Sequence, residues 1–482
     1  MASSVLRASR LALRQGTRAF CGGPPPSRLK DPLPFQPYES PRTLPGYLHQ
    51  TPGTKVTQLD NGLKVATEEG HGETATVGVW IDAGSSYETE KNNGVAHFLE
   101  HMAFKGTNKR SREQIELEVE NMGASLNAYT SREQTVYFAR SFKKDVGASV
   151  DILADILQNS KLETDAIESE RSTIIREMEE IERNVEEVVY DQLHAVAYQN
   201  DPLGFTILGP RANVRSLKRD DLVNYINTHY SPDRMVLAGA GAVSHDALVD
   251  YAKRSFGGMA KKPFPKPAKP EFVGSMVTIH DHDMPVVHAA IAAESVGWSH
   301  PEYFTFQVIQ AIIGSWDRES GAGKNISSRL GEHLAMEGTA HSMTAFHTCY
   351  HNTGLFGIYS TFTSENSWDA ICDVVTEWVR ISHQVSETEV ERAKNKVKAA
   401  ALMQLNSSSA VAEDVGRQIL TLGRRMTPAE IFSRIDAITT DHVKAVATEY
   451  LTDVDVAVCA IGPFTEMPDY NHIRGFTYWN RL

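Results

Sequence analysis

The chain has no run of roughly eighteen or more apolar residues, so no segment reads as a membrane-spanning helix. Cysteine is scarce: Cys21, Cys349, Cys372 and Cys459 lie far apart, with no CxxC pair among them. That gives no support for a disulfide framework or a thiolate metal site. Positive charge is not in excess either, since 48 basic residues against 61 acidic ones leave a formal −13. Such a balance argues against nucleic-acid binding and favours basic partners. Residues 1–20 contain no Asp or Glu at all.

What those first residues do contain is Arg7, Arg10, Arg14 and Arg18, three or four apart, with Ser3, Ser4 and Ser9. On a helix this spacing makes a basic stripe, and Val5, Leu6, Leu11 and Leu13 supply apolar surface. Residues 1–20 therefore read as a mitochondrial transit peptide, cut near Arg18–Cys21. A disordered basic tail is the alternative reading of the same residues. Residues 21–53, with Pro24-Pro25-Pro26 and further prolines to Pro52, read as an extended lead-in.

With 482 residues, 41% of them hydrophobic and 23% charged, the remainder is ordinary globular material for about two to four domains. Thr74–Ala83 reads as a strand and Asn92-Asn93-Gly94 as the punctuation before a helix. Leu126–Ala128 and Gln134–Phe142 read as strands joined by the turn Thr130-Ser131-Arg132-Glu133. Val146–Ser160 and a long acidic Thr164–Ala197 read as helices, followed by the helix Leu222–His229 and the small-residue strand Met235–Ala242. Residues 261–272 begin Lys-Lys-Pro-Phe-Pro-Lys-Pro and read as a stiff, solvated linker. It separates residues 54–260 from 273–482, each of about 200 residues, a usual domain size. The two parts echo one another. Asp221–Asp233 (DLVNYINTHYSPD) matches Asp441–Asp453 (DHVKAVATEYLTD) in register, and each leads into a strand, Val236–Gly241 and Val456–Ile461. A fainter echo links Asp165–Arg171 to Thr388–Lys394. Two homologous α+β domains explain this, and chance likeness between amphipathic helices is the alternative.

The chemistry concentrates at His97-Phe98-Leu99-Glu100-His101. Positions i, i+3 and i+4 of a helix share a face, so two imidazoles one turn apart would meet one zinc ion with a carboxylate beside them. A catalytic zinc needs a third protein ligand. Glu177, on the acidic helix, is the candidate, and Glu170, two turns earlier on the same face, could hold a ligand imidazole. Both can equally be read as acids on a solvated helix.

The segments GVAHFLEHMAFKGT (Gly94–Thr107), ENMGASLNAYTSREQT (Glu120–Thr135) and IIREMEE (Ile174–Glu180) resemble the pitrilysin-like (M16) metallopeptidases. So do His229–Met235, VGWSHP (Val296–Pro301) and Pro468-Asp469-Tyr470, and the likeness covers the whole chain after its leader. The resemblance implies two homologous α+β domains of M16 type, each a mixed or antiparallel sheet flanked by helices, with catalysis in the first. It implies zinc on His97, His101 and Glu177, Glu100 as general base, and Glu170 as an acid behind the ligands. In the second domain, Arg329-Leu330-Gly331-Glu332-His333 would be the motif's nearest counterpart, with Arg for the first His. Ala393 and Ala400 would stand for Glu170 and Glu177.

The resemblance further implies that Asn127 and Ala128 lie on an edge strand that takes an extended peptide. Phe104 would contact the residue after the cut, with plain core packing as the alternative. Glu187 and Asp191 would receive an arginine just before it. Between Glu163 and Asp191 acids far outnumber Arg171, Arg176 and Arg183, which suits arginine-rich presequences. The implied partner is a non-catalytic α subunit with a glycine-rich loop, of which this chain has only Gly321-Ala322-Gly323. The implied location is the mitochondrial matrix. A core subunit of respiratory complex III, at the matrix face of the inner membrane, is the alternative role.

Overall fold

The computed structural model describes residues 44–49, 52–264, 268–321 and 326–478. The transit peptide 1–20, most of the 21–53 extension, Cys21, residues 265–267 of the linker, and Ala322 and Gly323 lie outside the described residues.

The chain builds two six-stranded sheets. The first holds β1 (Lys55–Gln58), β2 (Lys64–Glu69), β3 (Thr74–Ile81), β4 (Ser125–Thr130), β5 (Thr135–Phe142) and β6 (Met235–Gly241) in the order β1-β2-β6-β3-β5-β4. The second holds β7 (Ser275–His280), β8 (Val287–Ser295), β9 (Ser315–Asp317), β10 (Ser342–Cys349), β11 (Gly354–Phe362) and β12 (Val456–Gly462) in the order β7-β12-β8-β11-β10-β9. In each sheet one late strand, β6 or β12, inserts parallel to β2 or β7 and antiparallel to β3 or β8. The two halves therefore share a topology, as the repeat in the sequence implies.

Both sheets are covered on both faces, and this explains their composition. β3 is buried from its second residue onward and β12 along its whole length, so neither alternates polar with apolar. One face of each sheet packs on helices of its own half. The other face is covered by a helix from the opposite half. The helix Ser408–Leu422 lies across β2, β3 and β6, setting Ala412, Val415 and Ile419 against Ala66, Trp80, Val136, Val236, Ala238 and Ala240. Reciprocally, the helix Val185–Ala197 sets Val189, Leu193 and Ala197 against Ala290, Ala292, Ala457 and Cys459 of the second sheet. Alanines on the sheets and Gly416 on the helix permit the close approach. Burial of each large aliphatic here contributes about 1.5–3 kcal/mol. The halves are thus stitched by exchanged helices rather than by the linker alone.

Three expectations are corrected. The acidic segment is two helices, Thr164–Ile181 and Val185–Ala197. They break where Asn184 leaves helical geometry (φ −87°, ψ 91°) at the start of the second helix, a place Asn prefers to a helix interior. Its side chain donates from Nδ2 to Glu187 Oε1 at 2.9 Å and bonds no backbone N–H of the helix. The counterpart of the motif helix Val95–Met102, which follows β3, is Tyr303–Ile313, which follows β8. Arg329–Glu337 instead precedes β10 as Arg112–Asn121 precedes β4. Finally, the linker begins docked rather than solvated, with the Arg234 guanidinium 4.1 Å from the Phe264 ring centroid and 4.7 Å from that of Tyr87.

Candidate metal centre

The motif helix starts at a glycine for a physical reason. Gly94 has φ 100°, and a Cβ there would meet the Leu208 carbonyl oxygen at 2.5 Å, so only glycine fits. Glu88 then caps the helix. Its Oε2 accepts from the Gly94 N–H at 2.8 Å and from Asn93 Nδ2 at 2.7 Å, and its Oε1 accepts from the Ala96 N–H at 2.7 Å. Burial pushes the Glu88 carboxyl up to about 7, against the pull of those three donors. Phe98, Leu99 and Met102 anchor the opposite face of the helix in the first-half core. On the remaining flank His97 is buried, 6% exposed, and Glu100 and His101 are half-buried.

Three groups converge there. His97 Nε2 lies 3.3 Å and His101 Nε2 3.0 Å from Glu177 Oε2, and the two imidazole centroids are 4.7 Å apart. One ligand atom from each of His97, His101 and Glu177 falls within 4.8 Å of the others, and no other such trio occurs among the described residues. Two imidazole nitrogens and a carboxylate oxygen around one point suit a divalent ion. His101 is raised, because Glu177 and Glu170 outweigh the lowering effect of its burial. The Glu177 carboxyl is held far below its usual range by His101 and then His97. Imidazole nitrogens take a cation only when unprotonated, so a cation's affinity here falls as the solution is acidified.

Glu170 lies on the far side of His101 from Glu177. Its Oε2 lies 3.3 Å from His101 Nδ1, and its Oε1 pairs with Lys105 Nζ at 2.5 Å. That contact turns the Nδ1 proton of His101 toward Glu170 and leaves Nε2 free to ligate. Glu170→Gln is therefore expected to weaken metal affinity about 10–100-fold, read by competition with a chelator; unchanged affinity would remove Glu170 from this role. Glu100 sits on the same helix, Oε2 3.9 Å from His97 Nδ1, with its side chain 21% exposed.

The remaining site residues are placed as follows. Phe104, Leu126 and Ala128 pack on the edge of the core that anchors the motif helix. β4 pairs only with β5 and is the edge strand of its sheet. Asn127 is exposed, and its Oδ1 accepts from the Ala128 N–H at 2.9 Å. Glu187 and Asp191 lie one turn apart on the helix Val185–Ala197. Glu187 is exposed, whereas Asp191 Oδ1 already accepts from Arg132 Nη2 at 2.6 Å. Several acids of the preceding helix are likewise paired, Glu179 and Glu182 with Arg211 and Glu168 with Arg171.

The sequence reading passed over Glu88, Lys105 and Arg132. Lys105 is one turn beyond His101, a spacing that signals a shared face. Glu88 and Arg132 carry no such signal, because a cap reached from a preceding loop and a turn-to-helix ion pair follow no fixed spacing. In the second half the equivalent place is a cleft of about 770 Å³. Tyr303, Gln307, Gln310 and Ala400 line it, and no trio of metal-binding groups is left there.

Known proteins resemble this chain closely. Residues 64–211 match the family profile described as Insulinase (Peptidase family M16), and residues 216–397 match that described as Peptidase M16 inactive domain. An armed half joined to a disarmed copy of itself defines a two-domain metallopeptidase. The chain belongs to peptidase family M16. It is 53% identical to the mitochondrial-processing peptidase subunit beta of Lentinula edodes, over 88% of this chain and 93% of that one. It is 50% identical to the subunit of the same name from Dictyostelium discoideum (91% and 95% covered) and to that from Homo sapiens (89% and 88%). Among solved structures, a chain of complex III2 from Candida albicans superposes with a TM-score of 0.81 at 26% identity, covering 88% of this chain and all of that one.

Proposed function

We propose that this chain is the catalytic subunit of a zinc endopeptidase that removes basic N-terminal presequences from proteins entering mitochondria. The observation that carries the reading is the convergence of His97, His101 and Glu177 beside Glu100, in a chain about half identical to subunits named for mitochondrial processing. The protein is mitochondrial, and the matrix is the compartment where presequences emerge. Residues 1–20 serve as its own transit peptide, 54–260 as the catalytic domain and 273–482 as its silent companion, joined through 261–272. The partner is an α subunit that brings the glycine-rich loop.

Zinc fits this donor set of two imidazoles and a carboxylate, which leaves one position open. When bound there it supplies a Lewis acid for the peptide carbonyl and for an attacking water. The chain's own residues do the rest. Glu100 accepts a proton from the attacking water on its carboxylate and returns it to the leaving amine. Glu170 keeps the Nδ1 proton of His101 in place. β4 offers its free edge, through Asn127 and Ala128, to an extended peptide, and main-chain hydrogen bonds of that kind tolerate varied sequences. Phe104 borders the residue after the cut, and Glu187 and Asp191 take the arginine before it.

Zinc content and presequence cleavage, measured on the complex as isolated, test the reading directly. Near one zinc per chain with cleavage is expected, and a zinc-free complex that still cleaves would end it. Glu187→Gln with Asp191→Asn is expected to cut kcat/KM about 10–100-fold for peptides with the arginine, and little for peptides without it. An unchanged preference for arginine would displace the pocket from these two residues. A structural role is the second reading, favoured by the fit to the complex III2 chain. Co-purification with cytochromes after detergent extraction supports it, and a soluble two-subunit peptidase supports the dedicated enzyme.

A further inference from the structure

The silent half reaches the peptide-receiving edge of the active half through Glu413. Glu413, on the helix Ser408–Leu422, lies over the first sheet with both carboxylate oxygens engaged. Oε1 accepts from the Tyr129 hydroxyl at 2.6 Å, and Oε2 accepts from Trp80 Nε1 at 3.1 Å. Tyr129 belongs to the edge strand β4, while Trp80 belongs to β3 near the middle of the sheet and is 1% exposed. Side chains alternate along a strand. Leu126 and Ala128 accordingly pack on the core beneath the motif helix, and Tyr129 packs toward the exchanged helix. β4 has one ladder partner, β5, so its outer edge is held by side chains alone.

We propose that Glu413 is a positioning residue for peptide cleavage: the catalytically silent half uses it to fix the strand on which the substrate peptide lies. The proposal rests on the reading of β4 as the peptide-receiving strand. A short edge strand frays readily, and a peptide that adds to it must first find it straight. The carboxylate ties Tyr129 to Trp80, the most buried aromatic of the same sheet face, so β4 is set in place before substrate arrives. Glu413 touches neither metal ligands nor Glu100, so its effect belongs in peptide affinity rather than in the chemical step.

The test is steady-state presequence cleavage by the complex with its partner subunit, with metal content and melting temperature measured alongside. Glu413→Ala is expected to raise KM about tenfold while kcat stays within about threefold and metal content is unchanged. Glu413→Gln is expected to recover most of the KM, because its Oε1 accepts from Trp80 and its amide donates to the Tyr129 oxygen. Tyr129→Phe should raise KM too, and combined with Glu413→Ala it should add less than its separate effect. An unchanged KM in Glu413→Ala would overturn the proposal. So would a parallel fall of kcat, metal and stability, or a Gln variant no better than Ala. Ala128→Pro, which removes the N–H now turned to Asn127, separates the two layers. If it leaves KM unchanged, β4 does not receive the peptide and both readings fall. If it raises KM while Glu413→Ala does not, only the positioning role falls.

Discussion

Glu100→Gln is expected to leave the metal bound and to lower turnover about 10³-fold. Glu100→Gln is expected to differ from changes at His97, His101 or Glu177 because the groups do different work. His97, His101 and Glu177 supply the three converging atoms, so changing any of them is expected to empty the centre. Glu100 lies on the same helix face, 3.9 Å from His97, and is not part of that trio. Glutamine keeps the shape and the hydrogen-bonding capacity but cannot take up a proton at neutral pH. Single-turnover cleavage with metal analysis on the same sample makes the distinction. Loss of metal in Glu100→Gln would make Glu100 a ligand, and near-normal turnover would give the base role to another group.

Gly416→Ala is expected to destabilise the protein by about 3 kcal/mol, although the same change in an exposed helix would stabilise it by about 1 kcal/mol. The sign reverses because a Cβ at Gly416 would overlap the Trp80 indole, which is closed in on every side. Trp80 cannot retreat without disturbing β2, β3 and β6, and Gly416 cannot retreat without lifting the helix Ser408–Leu422 off the sheet. Thermal or denaturant unfolding of the mature chain provides the measurement. Because each half covers a sheet of the other, the loss is expected in one shared transition. A stabilised variant, or a second half that melts on its own, would show that the exchanged helix is not holding the halves together.

Much of the metal centre was legible because its logic is local. The spacing of His97, Glu100 and His101 fixes a helical face, and Glu170 and Glu177 repeat that logic on a second helix. The in-register echo of Asp221–Asp233 by Asp441–Asp453 foretold two sheets of like topology. The break at Asn184 was not legible, since an acidic helical pattern runs through it and the backbone of one residue makes the break. The second-half counterpart of the motif was misassigned to Arg329–His333 for a related reason. A chance Glu-His pair resembled the motif, whereas strand order places Tyr303–Ile313 there.

The sequence by itself determined that the chain is a doubled α+β unit of a metallopeptidase family and that His97, Glu100 and His101 share one helix face. Only the tertiary structure decided what covers the sheets and what holds the ligands from behind. Alanine-rich strands such as β6 and β12 announce burial on both faces, but periodicity does not name the helix that buries them. The helix Val185–Ala197 follows directly on the ligand helix and yet packs on the other half. Lys105 on Glu170, Arg132 on Asp191 and Glu413 on Tyr129 are likewise pairings of side chains from separate elements. Such pairs are fixed by how the layers stack, which depends on the shape of every contact between them.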